Sequence, residues 1–454
     1  MTAAVRDDPP PFLGWLGILR LGLVQTSLGA VVVLTTSAIN RVMVVELALA
    51  ATVPGLLVGL HYAMQVLRPR MGHGSDVGGR RTPWIVGGTA VLALGGTGAA
   101  ASVGAVQAAG LVPGLAVAVL SFLLIGAGVA AAGTPLLALL AARVAPERRA
   151  AATSIVWIMM IAGFVVTTAA AGRLLDPYSP ARLLAVSAGV CGLAFLLATA
   201  AVWGVEPRAA PAAAPGAEER PPFRDALRQV WAEPDARRFS VFVFVSMLAY
   251  SAQDLVLEPF GGAVFALSLG QTTRLASVQH AGVLLGMVAV ALAGSARVAD
   301  RGRRLRRLAV GGCVGAALSV LGMAALGLFG EARPVAAACF AVGLGDGVFA
   351  AAAIASMMHL AGRDGEERSG LRMGVWGAAQ AVAFGLGGLV GTAAVDAARL
   401  ALGAPPAAAY GLVFAADALL FLWAAFLAVR IGQPRPANGE APRGASARLG
   451  ARLA

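Results

Sequence analysis

The sequence predicts an all-α membrane protein of twelve transmembrane helices, arranged as two pseudo-symmetric six-helix bundles. Three observations lead there. Over 454 residues the chain is 58% hydrophobic and 13% charged, with a mean hydropathy of +0.79, too apolar for a soluble globular domain. Its arginines sit in short breaks between long apolar runs. Its two halves also repeat scarce residues at one spacing.

Taken in order, residues 1–18 form a cytoplasmic amino-terminal segment. Met1 to Pro11 carries Asp7, Asp8 and three prolines but no basic region before a short apolar core, so no cleaved signal peptide is expected. A membrane helix needs about 20 apolar residues. By that measure the first bundle, 19–205, has spans at Leu19 to Asn40, Val53 to Leu67, Trp84 to Val103, Leu111 to Ala142, Ala151 to Gly172 and Arg182 to Val205. The second, 239–430, has spans at Phe239 to Leu257, Thr272 to Ala296, Leu305 to Leu328, Pro334 to Leu360, Ser369 to Ala397 and Ala407 to Arg430. Between them, 206–238 opens on an Ala- and Pro-rich run, Glu206 to Pro222, which reads as a flexible cytoplasmic linker. Phe223, Leu227, Val230 and Trp231 then recur at helical spacing among arginines, the pattern of an interfacial helix on the inner leaflet or of a docking site for a partner. Residues 431–454 are polar, contain Pro and Arg, and read as a disordered cytoplasmic tail.

All 35 basic residues are arginine, and the formal net charge is +12. Such a charge suits nucleic acid, but here it is dispersed over many loops, and membrane topology explains it better. With the amino end inside, 29 arginines fall on the cytoplasmic side; Arg41, Arg173, Arg182, Arg274, Arg333 and Arg399 fall outside. That asymmetry predicts a multi-pass membrane protein with both termini cytoplasmic. Cys191, Cys313 and Cys339 lie within apolar spans at unrelated spacings, which fits core packing and neither a disulfide framework nor a zinc site.

An offset of 219 brings His61 onto His280, Gly126 onto Gly345, Gly128 onto Gly347 and Trp157 onto Trp376. Glycine matches are cheap in a chain with 58 of them, but His and Trp are scarce, so the offset argues for a duplicated six-helix unit. Between the second and third spans, Gly72, Asp76, Gly79, Arg80 and Arg81 form a glycine-rich basic connection. Their spacing resembles the signature loop of the major facilitator superfamily, with Val77 where that loop usually carries a base. Residues 297–304 look like a degraded second copy. In that superfamily the loop helps latch the halves, which would set Asp76 against the start of a helix near Ser369.

Ionisable groups inside a membrane are functional candidates. Asp346, flanked by Gly343, Gly345 and Gly347, is mid-span with room for a close neighbour or a bulky ligand, and Asp417 is also mid-span. Asp254 and Glu258 sit near the outer end of span seven, as the polar cluster Asn40, Arg41 and Glu46 does for span one. An acid among these is either a proton relay or a partner holding the bundle together. His61 and His280 are membrane-embedded imidazoles able to ligate a metal or a porphyrin-type magnesium, or to hydrogen-bond across helices. His73 and His359 have weaker claims. No phosphate loop, Cys/His metal spacing or nucleophile–base constellation is present, so an enzyme is not predicted. The glycines from Gly126 to Gly133 and from Gly385 to Gly391 read as faces for close helix packing.

Three segments carry a narrower resemblance: Arg20 to Gln25, Leu34 through Asn40-Arg41 to Glu46-Leu47, and Leu60-His61-Tyr62 through Arg68 to Asp76. They look like the PucC/LhaA family, the bacteriochlorophyll delivery branch of the major facilitator superfamily. The likeness is dense over Arg20 to Gly88 and collinear beyond. It implies a non-enzymatic factor that helps assemble light-harvesting antenna complexes, delivering or chaperoning bacteriochlorophyll or antenna polypeptides. Transiently bound bacteriochlorophyll a is the cofactor it implies, with His61, His280 and Asp346 as candidate pigment-binding residues. The implied partners are the lipid bilayer, antenna polypeptides and bacteriochlorophyll-synthesis enzymes, with no nucleic acid. A proton-coupled transporter of a small solute and a pigment-free antenna scaffold remain as alternative readings.

Overall fold

The computed structural model describes residues 12–77, 80–145, 148–206, 231–295, 301–361 and 369–430. Twelve helices matching the predicted spans follow in order among the described residues: α1 Trp15–Leu34, α2 Thr52–Ala63, α3 Thr82–Ala109, α4 Leu111–Arg143, α5 Arg149–Leu174, α6 Pro180–Val202, α7 Pro234–Phe265, α8 Leu269–Ser295, α9 Arg301–Phe329, α10 Val335–Ala361, α11 Ser369–Ala401 and α12 Pro406–Val429. Eleven are long and apolar enough to cross a membrane. The remaining one, in α2, is a shorter apolar stretch, Thr52–Leu67.

Several elements run beyond their sequence-predicted ends, α7 among them, which continues past Leu257 to Phe265. α1 continues through π-helical turns at Thr35–Ile39 and Val42–Glu46, so Asn40, Arg41 and Glu46 belong to one unbroken span, Trp15–Glu46. α2 continues through a 3-10 turn, Met64–Leu67, into helix Arg68–Val77. Gly72 and Asp76 are therefore helical, and the glycine-rich connection is shorter than the sequence implies. No proline follows Pro69 until Pro83, so nothing covalent stops the helix there.

Turn chemistry sets several other ends. Gly110, at φ 95°, separates α3 from α4, a backbone region that other residues seldom adopt. Prolines occupy the first turns of α3, α6, α7 and α12, where the missing N–H costs nothing. The Ser179 hydroxyl caps α6 by accepting from the Arg182 N–H.

The helices pack as two like bundles. In the first, α3 packs on α4 and α6, α1 on α5 and α6, and α2 on α4; in the second, α9 packs on α10 and α12, α7 on α11 and α12, and α8 on α10. Each pair thus has its counterpart six helices on. The main seams between bundles, α5 on α8 and α2 on α11, are also exchanged by that relation, as a pseudo-two-fold axis requires. Each bundle has its own apolar core, and Ile161, Val283 and Met287 form a small cluster across the α5–α8 seam.

Small residues permit this closeness. A Cβ on Gly126 would meet the His61 carbonyl of α2, and one on Gly128 would meet the Leu92 backbone of α3. In the second bundle Gly343 and Gly347 abut the α8 backbone and Gly345 abuts α9, so the space around Asp346 is filled by helices. Gly387, Gly388 and Gly391 lie against α7.

Candidate functional site

The site is built where α1 and α7 meet between the two bundles. Pro259 lies inside α7 and has no N–H, so the Leu255 carbonyl four residues earlier lacks its helical donor. Asn40 supplies one from the other bundle, its Nδ2 donating to the Leu255 oxygen at 2.7 Å. One turn along, the Ser37 hydroxyl donates to the Glu258 carboxylate. The π turns of α1 bring both side chains to this crossing, a common use of an inserted residue. Arg41, 3% exposed, pairs with Glu46 and donates through Nη2 to the Leu267 carbonyl at 2.8 Å. Gly262 leaves room for its guanidinium. The structure thus gathers the cluster Asn40, Arg41 and Glu46 at the seam between bundles. Beside it, the Tyr178 phenol on the α5–α6 connection is pushed up to about 12 by burial and then by the Glu46 carboxylate, so it stays neutral.

Beneath the crossing is a cavity lined by Val33, Thr36, Ser37, Asp254, Glu258, Ala276, Gln279 and His280. Its volume of about 10 Å³ accommodates one water. Small-molecule pockets measure roughly 300 Å³ or more, and bacteriochlorophyll is a large ligand. This cavity is therefore far below the size of a pigment site.

The two histidines occupy different settings. His280 borders the cavity, with Nδ1 2.7 Å from the Ala276 carbonyl and its ring edge-on to Phe164 of α5 at 5.0 Å. His61 is 4% exposed, edge-on to Tyr62, with no hydrogen-bond partner for Nδ1. Across the other seam it is Tyr62 that meets Phe384 of α11, at 5.4 Å. Tyr62 is therefore the two-fold counterpart of His280. His61 corresponds to Gln279, since Gly126 lies under the carbonyl of the first and Gly343 under that of the second. The 219 register misses by one residue in α2 and α8, a rotation of about 100° around a helix. In α4 and α10 it misses by two, pairing Gly126 with Gly343 and Gly128 with Gly345.

Asp346 is fully buried within the second bundle, where Oδ2 accepts from Gln253 Nε2 at 2.5 Å, joining α10 to α7. It is not among the cavity-lining residues. Asp417, 2% exposed, lies on α12.

Sequence reasoning missed three acids that cap helices. Asp396, near the end of α11, accepts from the backbone N–H of Ala51 and Thr52 at 2.9 and 2.7 Å and from the Thr52 hydroxyl at 2.6 Å. Asp176, just past α5, accepts from the Gly270 N–H at 3.0 Å and the Ser268 hydroxyl at 2.9 Å, with Arg274 3.8 Å away. These caps are two-fold counterparts, each binding the first turn of a helix in the opposite bundle on the face away from Trp15 and Arg430. The third, Glu206, accepts from the N–H groups of Arg81 and Thr82 at the start of α3. Arg80 is exposed beside it. The signal was available: an acid at a helix end opposite a Ser/Thr-led first turn. Nearby, Arg20 donates to the Ala201 and Trp203 carbonyls, closing the end of α6 against α1. Gly79, most of residues 206–238, residues 297–300 and 431–454, and the side chains of Gly72, Asp76 and Ser369 lie outside what is described, and with them the expected latch, linker helix and tail.

Comparison with known proteins agrees with the fold. A family model described as PUCC protein matches residues 38–435. The chain is 50% identical over 428 residues to a protein named bacteriochlorophyll synthase 44.5 kDa chain from Rhodobacter capsulatus, covering 94% of this chain and 97% of that one. It is 32% identical over 440 residues to Protein PucC of Rhodobacter capsulatus, covering 91% of each. Among solved structures, a point mutant of the nucleoside transporter NupG aligns with TM-score 0.67 at 12% identity, covering 92% of this chain and all of that one. An inward-facing, unoccupied bacterial homolog of the human lysosomal transporter Spinster aligns with TM-score 0.64 at 16% identity, covering 91% and 95%.

Proposed function

Since the chain belongs to the PUCC protein family, we propose that it is an assembly factor for light-harvesting antenna complexes, set in a bacterial inner membrane with both termini cytoplasmic. The observation that carries this reading is the near full-length 50% identity to a chain named for bacteriochlorophyll synthesis. In this reading it acts without catalysing a reaction, which the match to the PUCC protein family and the transporter-type fold support. On the same reading antenna polypeptides, with bacteriochlorophyll a on them, are met on the lipid-facing surface, since the cavity at the α1–α7 crossing is water-sized. Bacteriochlorophyll-synthesis enzymes are further partners in this reading.

Disruption of the gene in its phototrophic host tests it. The near-infrared bands of one antenna complex should be lost while reaction-centre absorption persists. An unchanged membrane spectrum would overturn the proposal. The transporter-type fold supports a second reading, proton-coupled movement of a small solute. Under it, a solute flux driven by a pH gradient should be measurable in vesicles.

A further inference from the structure

The pseudo-two-fold that exchanges α1 and α7 places Asn40 on Glu258 and Ser37 on Leu255, so one crossing contact is made twice with different chemistry. The carboxamide of Asn40 has one protonation state; the carboxyl of Glu258 has two. Glu258 is 5% exposed and lines the water-sized cavity; its Oε2 makes no hydrogen bond of good geometry, with the Thr273 hydroxyl of α8 close by. Gln279, 2% exposed, also borders the cavity, and its Nε2 is likewise without one. A single water between these groups would give a proton a path off the carboxyl.

The charges around Glu258 are few. Arg41 approaches from α1, Asp254 from the preceding turn of α7, Thr273 and His280 from α8, and Cys339 from α10. Farther out, Asp346 of α10 is bound to Gln253, Asp396 of α11 caps α2, and Tyr410 and Asp417 lie on α12. Arg41 is the fixed cation in this group, and Glu46 and the Leu267 carbonyl already hold it. An ionised carboxylate sealed from water without its own cation is costly, so closure of the bundles over Glu258 favours its neutral form.

We propose that Glu258 is a proton-binding site coupled to separation of the two bundles. It carries a proton while α1 and α7 cross tightly; when they part on the face away from the chain ends, the proton passes to water in the widened cavity and out to that face. This goes beyond the assembly reading and holds whatever the cargo is.

Nitroxide labels at Leu111→Cys and Leu402→Cys, both exposed on that face and one per bundle, test it in a background lacking the three native cysteines. Double electron–electron resonance on the full-length protein reads the ratio of separated to closed molecules from mildly acidic to mildly alkaline buffer. For one coupled proton that ratio should rise with pH by up to about tenfold per unit. Glu258→Gln should stay closed throughout, and Glu258→Asp should keep a pH response. A wild-type ratio that does not move with pH, or a Glu258→Gln protein that responds as wild type does, would overturn the proposal. Should the glutamine variant fail to accumulate, loss of the pH response in the aspartate variant would count against it equally.

Discussion

At the residue scale the most informative contact is Asn40 on the Leu255 carbonyl, because a second residue, Pro259, explains why it must exist. Removing the amide strands a buried acceptor, which costs about 1–3 kcal/mol. Asn40→Ala should therefore lower the thermal unfolding midpoint in detergent. Adding Pro259→Ala should recover part of the loss, since the substitution returns an N–H to the Leu255 carbonyl. If the double variant is no more stable than the single one, the proline does not account for the contact. Asn40, Arg41 and Glu46 were legible in the sequence as a polar group near a helix end. What Asn40 touches was not, because its partner lies 215 residues away in the chain.

At the scale of elements, the acid caps on α2 and α8 hold the bundles together on the face away from the chain ends. An N-cap bond is worth about 1 kcal/mol, and sites this far apart contribute nearly additively. Asp176→Ala and Asp396→Ala should each reduce stability by about that amount, and together by about twice it. Asp396→Asn should retain most of the stability, since asparagine caps nearly as well. Equal melting curves for wild type and the double alanine variant would show that the caps contribute nothing. The existence of the twelve spans was readable from hydropathy, but several of their ends were not. The π turns of α1 and the helical run through Gly72 depend on packing against a neighbour, and local composition argues for a break at both places.

At the scale of the whole molecule, duplication governs the architecture. The sequence repeat announced it correctly, yet at a register that fails by a residue or two from helix to helix. Loop-length changes slide each helix separately, and a fixed offset cannot follow them. Thus His61 and His280, the pair that suggested the repeat, are not counterparts, while Tyr62 and His280 are. Because each bundle encloses its own core, a chain cut within residues 207–230 and produced as two co-expressed pieces should reassemble through the α2–α11 and α5–α8 seams. An affinity tag on one piece should then retrieve the other. Retrieval of the tagged piece alone would mean that covalent linkage is required.

The acid at 396 is received by main-chain amides at 51 and 52. Nearly any small amino acid at 51 would still offer that hydrogen, and proline alone would withhold it. That receiving end can consequently diversify through evolution while position 396 is confined to side chains with a capping oxygen, so variation among related chains should be unequal across the contact. At the opposite seam the asymmetry vanishes: a methyl on Gly270 would press on the Asp176 carboxylate and the Gly172 carbonyl, so both sides there should be equally constrained.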